Sequence, residues 1–138
     1  MIRTSGPGLA LLLLASSCAA ALAASPLPIG GVYGNGAGCR FFLLGEASDD
    51  MVLLTPDSFA TPTTGCDFNE LVSRDGEGFT VSATCSGDGK SDARPDLVHV
   101  TPAGGDAYGV AIEGGEDWGP LTFCPGTDSL VRPAGVQI

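Results

Sequence analysis

Phe79-Thr80-Val81-Ser82-Ala83-Thr84-Cys85 decides the fold class. Phe79, Val81, Ala83 and Cys85 alternate with Thr80, Ser82 and Thr84. This period of two puts one row of side chains in a core and the other in water. Upstream, Asp75-Gly76-Glu77-Gly78 is a turn, and Cys66-Asp67-Phe68 through Val72 can pair back across it as a hairpin. A turn centred between Gly76 and Glu77 opposes residues whose numbers sum to about 153, and Cys66 and Cys85 sum to 151. They lie near opposition, and one bulge aligns them.

Further out, short apolar runs alternate with turn residues. Cys39-Arg40-Phe41-Phe42-Leu43-Leu44 reads as a first strand and Met51-Val52-Leu53-Leu54 as a second, with residues 45–50 as the hairpin loop between them. A Pro-rich loop follows around Pro56 and Pro62. Later runs are Leu97-Val98-His99-Val100, then Tyr108 to Ile112, Trp118 to Phe123, and a short Ser129-Leu130-Val131. Asn69 to Val72 can form one helical turn, and no stretch beyond the leader sustains a helical period. The expectation is an all-β fold, a small sandwich or barrel of seven to eight short antiparallel strands.

Composition agrees. Gly and Pro together supply 31 of 138 residues, which favours turns over a helical bundle. Sixteen acidic residues face six basic ones, a net charge of −10, and this disfavours nucleic acid as a partner, because phosphates are held by clustered Lys and Arg. Arg3, the apolar run Leu9 to Ala15 and the small residues of Ala21-Leu22-Ala23 form the three-part pattern of a secretory signal peptide. Cleavage is expected after Ala23 or Ala24, leaving residues 25–138 as a single β-rich domain, periplasmic or secreted. The leader's apolar run is too short for a transmembrane span. Ala15-Ser16-Ser17-Cys18 loosely matches a lipoprotein box, which keeps lipidation at Cys18 as an alternative.

With Cys18 removed, Cys39, Cys66, Cys85 and Cys124 remain, and an even number in an exported domain reads as two disulfides. Their spacing lacks the close pairs of a zinc site. Three pairings are formally open; the hairpin register favours Cys66–Cys85, leaving Cys39–Cys124 to join the first strand to the last.

No cofactor or metal is called for. A Ser or Cys triad needs a histidine base; the chain has only His99, set in a strand run where an outward-facing role is the expectation. Loop acids such as Asp49-Asp50 and Glu116-Asp117 read as solubilising charge, although a carboxylate pair of the glycosidase kind stays open. Gly87-Asp88-Gly89-Lys90-Ser91-Asp92 resembles an Asp-rich calcium loop but lacks its first acid, so a polar hairpin loop is preferred.

Gly104-Gly105-Asp106-Ala107-Tyr108, with Trp118-Gly119 downstream, partly resembles the Ser-Gly-x-x-Tyr signature of the periplasmic lysozyme inhibitors of Gram-negative bacteria. Gly104 stands where that family has Ser, and no Lys precedes Gly119. The resemblance implies partner binding through Asp106, Tyr108 and Trp118; otherwise Tyr108, Val110 and Ile112 are simply a core strand face. More broadly, the chain resembles short four-cysteine exported β-proteins of Gram-negative bacteria with no assigned function. The expected role is a non-catalytic envelope binding or accessory module. The alternatives are an inhibitor or scavenger of a cationic protein such as lysozyme, and a carboxylate-based hydrolase or small-ligand barrel.

Overall fold

The computed structural model describes residues 24–87 and 95–128. The expected leader as far as residue 23, Cys18 included, the calcium-like stretch beyond Gly87 and the expected strand at residues 129–131 lie outside the described residues. Eight antiparallel strands form a closed barrel in chain order: β1 (Tyr33–Gly34), β2 (Leu53–Leu54), β3 (Ser58–Ala60), β4 (Thr64–Asp75), β5 (Gly78–Gly87), β6 (Asp96–Pro102), β7 (Ala107–Ile112) and β8 (Asp117–Phe123). Each strand pairs with the next, and β8 closes on β1 through Tyr33–Phe123 and Gly34–Thr122. Closure gives each of these strands a neighbour on both sides over at least part of its length, where an open sheet would leave two strands with one neighbour only.

The β4–β5 hairpin follows its sequence. Phe79, Val81, Ala83 and Cys85 are all buried. Thr80 departs from the wet-face expectation: it is also buried, because His99 opposite it on β6 covers its hydroxyl. Arg74 opposes Phe79 near the turn, Leu71 opposes Val81, and Cys66 opposes Cys85, with register shifts between Phe68 and Glu70 and between Leu71 and Ser73. Alignment of the cysteines therefore takes two bulges rather than one. The disulfides are Cys66–Cys85 and Cys39–Cys124. The segment from Asn69 to Val72 is strand, not a helical turn.

The run Cys39 to Leu44 is not the first strand. It belongs to helix α1 (Gly36–Leu44), between β1 and β2. Asn35 sets its start: the side-chain oxygen accepts from Gly38 N at 2.7 Å and from Val52 N at 3.0 Å, while its amide donates to Asp50 O at 2.6 Å. One side chain thus caps the helix and ties it to the approach to β2. Gly45 ends the helix in the left-handed region, at φ 72°, with its N–H donating to Phe41 O. Close packing needs Gly38, where a Cβ would lie 2.0 Å from Val52 O. Cys39–Cys124 therefore bonds this helix, rather than a first strand, to the residue after β8. Residues 45–50 connect helix to strand and are not a hairpin loop, and the Pro-rich segment contains β3.

Two cores result. Tyr33, Leu54, Phe59, Val81, Val98, Val100, Val110 and Leu121 pack within one cluster that fills the barrel. Val32, Ala37, Met51, Leu53 and Cys124 form a second between α1 and the barrel's outer face. Successive strand residues point to opposite faces, so adjacent Leu53 and Leu54 serve different cores. Phe41, Phe42, Leu43 and Leu44 stay exposed at 38–68%.

Connections alternate between the barrel's ends. The β2–β3, β4–β5 and β6–β7 turns gather at one end, which Leu27 and Ile29 plug: both are buried in the barrel core, and Leu27 N donates to Pro56 O at 3.0 Å. The β3–β4 and β7–β8 turns and the α1–β2 connection gather at the opposite end. No helix among the described residues is long and apolar enough to cross a membrane.

Candidate functional site

Each end of the barrel carries a cleft. At the plugged end, about 430 Å³ is lined by Arg74, Glu77, Phe79, Asp106 and Tyr108, among others. Asp106, exposed at the β6–β7 turn, accepts a 2.8 Å hydrogen bond from the Tyr33 hydroxyl. The Tyr33 ring meets Tyr108 edge-on at 4.8 Å between centroids and Phe123 at 5.7 Å. Burial, then the hydrogen bond to Asp106 and its charge, pushes the Tyr33 phenol far above its usual value. Tyr108 is also raised, first by burial and then by Asp106 and Glu77. The Arg74 guanidinium lies 5.2 Å from the Phe79 ring centroid, so this cleft mixes both signs of charge. Tyr108 and Asp106 are held in place by Tyr33, which the sequence reading left unassigned.

At the opposite end, a cleft of about 460 Å³ opens between the α1–β2 connection, the β3–β4 turn and the β7–β8 hairpin. Trp118, Ile112, Met51 and Val52 supply its apolar walls, Asp49, Asp50 and Glu116 its acids, and among the described residues no basic side chain lines it. Trp118 opposes Val110 across the β7–β8 ladder and packs on fully buried Phe59 with ring centroids 4.9 Å apart. The indole is thereby held between two strands and a core ring.

The three expected binding residues divide between these clefts. Asp106 and Tyr108 belong to the plugged end and Trp118 to the other, because β7 and β8 run from one end to the other between them. The acids of the second cleft read in the sequence only as loop charge. Alternation of connections in an up-and-down barrel brings residues 49–52, 61–64 and 112–118 together, which no local pattern announces.

His99 on β6 links β5 to the turn after β7 on the barrel's outer face. Its Nδ1 lies 3.0 Å from Thr80 Oγ1, and its Nε2 lies 3.5 Å from a Glu113 carboxylate oxygen. The order hydroxyl, imidazole, carboxylate is that of a nucleophile relay, but neither Thr80 nor His99 lines either cleft. The arrangement is a cross-strand clasp that satisfies the buried hydroxyl. Among the described residues no group of three or more His, Cys, Asp or Glu is placed to hold a metal ion. Comparison of the chain with known protein families, with curated proteins and with solved structures finds no match.

Proposed function

We propose that this protein is an exported, non-catalytic binding module whose partner is positively charged. The carrying observation is the cleft beside Trp118, whose titratable lining among the described residues is Asp49, Asp50 and Glu116. Three carboxylates around an apolar wall repel anions and gain from an incoming cation. The net charge of −10 extends the same preference over the molecule. Two disulfides suit an oxidising compartment, and the leader pattern of residues 1–24 directs the chain there. Side chains fill the barrel interior, which favours a surface-binding role over an enclosed small-ligand site. Apart from half-buried Asp96, the described carboxylates are exposed, an unfavourable setting for the raised acid that glycoside hydrolysis requires.

The test is association of residues 25–138 with a basic protein, lysozyme being a convenient probe, measured from 20 mM to 500 mM salt. Affinity should fall at least tenfold across that range as surface charges are screened. No binding at low salt, or binding indifferent to salt, overturns the reading.

A further inference from the structure

We propose that the cleft beside Trp118 is a seat for a single arginine side chain of that partner, an inference that rests on the reading of the protein as a binder of cations. The cleft offers two chemistries at adjacent levels. Its walls are Trp118, Ile112, Met51 and Val52; its acids, Asp49, Asp50 and Glu116, lie on exposed loop positions around them. A ligand that satisfies both is an apolar stem ending in a cation. At about 460 Å³ the space suits one long side chain with its flanking backbone and is small for a folded element.

Guanidinium fits better than ammonium. The planar group stacks on an aromatic face and presents paired N–H donors to carboxylates, whereas the ammonium is a compact, strongly hydrated charge. Trp118 is the aromatic surface available, and its orientation is set before any ligand arrives, by Phe59 at 4.9 Å and by its place opposite Val110. A fixed indole spends little ordering entropy on stacking. The hydroxyl of Thr61, on the far wall, already accepts from Thr64 N at 3.1 Å, so the β3–β4 turn is pinned as well. A neutral sugar can also stack on tryptophan, but it brings the three carboxylates no counter-charge. Guanidinium does.

Trp118 is the single tryptophan of the chain, so its emission reports on this cleft without labelling. The experiment titrates residues 25–138 at low salt with N-acetyl-arginine amide, its neutral isostere N-acetyl-citrulline amide, N-acetyl-lysine amide and chitotriose. Saturable quenching by the arginine probe in the millimolar range is expected, about threefold or more weaker with lysine and absent with citrulline. Glu116→Gln combined with Asp49→Asn should weaken the arginine response at least fivefold. Both residues are exposed, and the β7–β8 turn is held by the Glu116 backbone carbonyl, which the substitution keeps. Equal quenching by citrulline or chitotriose, or none by arginine, overturns the proposal. If arginine fails while lysozyme still binds in a salt-dependent way, the cleft assignment falls and the cationic-partner reading stands. If arginine binds and no basic protein does, the reverse holds.

Discussion

Loss of the two disulfides should be unequal, and the structure fixes the direction. Cys39–Cys124 closes 85 residues, while Cys66–Cys85 closes 19 across one hairpin. In the chain-entropy treatment these loops are worth about 4.6 and about 3.2 kcal/mol, a difference of about 1.3 kcal/mol. Packing reinforces the ranking. Cys66 and Cys85 stay aligned without their bond, because β4 and β5 remain paired on both sides of them. Helix α1 has no such ladder; beyond Asn35 it is held by the small outer core and by Cys39–Cys124. Cys39→Ala/Cys124→Ala should therefore lose more unfolding free energy than Cys66→Ala/Cys85→Ala, by at least about 1 kcal/mol. Urea unfolding followed by circular dichroism measures both, compared as extrapolated free energies because an opened chain also changes the slope. A hairpin variant equal to or less stable than the helix variant would refute the argument.

Three further outcomes are expected. The chain's two tyrosines are both raised by burial and by Asp106, so their phenols are protonated more readily in the folded than in the unfolded protein. That stability is complete below the unfolded value near 10 and is lost as pH climbs above it; absorbance at 295 nm should rise together with loss of the β-sheet signal, and a full tyrosinate signal from folded protein would contradict this. Leu27→Ala removes the plug's most buried side chain and should cost about 2–4 kcal/mol, within the range for a buried leucine; a change below about 0.5 kcal/mol would mean that the plug contributes little. Asn35→Ala deletes the three side-chain bonds that start α1 and should cost about 1–2 kcal/mol, with faster amide exchange in α1 but not in β5.

How far the sequence carries the fold depends on element length. Phe79 to Cys85 spans several alternations, enough to declare a strand and, with the turn at Gly76, its partner and its cysteine pairing. β1 and β2 have two residues each, too few for any period, so Tyr33 gave no strand signal. Phe41 to Leu44 is apolar without interruption and therefore uninformative about period; the local marks of the helix were Asn35 before it and Gly45 after it. The candidate site was less legible than the fold. Asp106 and Tyr108 are neighbours in sequence and in space, but Trp118 joined them only by proximity along the chain. Its actual companions, Asp49, Asp50 and Glu116, come from segments more than sixty residues apart.

The paired bulges of β4 bear on how this barrel keeps to itself. β3 reaches only Gly65 to Asp67, so among the described residues the remainder of β4 has β5 on one flank and no strand on the other. An even run of peptide groups there would be a template for a strand from another molecule. The irregularity between Leu71 and Ser73 breaks that evenness. It also reverses which residues share a face, so that Arg74 turns in beside Phe79 while Glu70 keeps the side of Ser82. An incoming strand that matches the spacing before Val72 is out of step after it. The same insertions that bring Cys66 opposite Cys85 thus leave the longest of the described strands a poor surface for self-assembly.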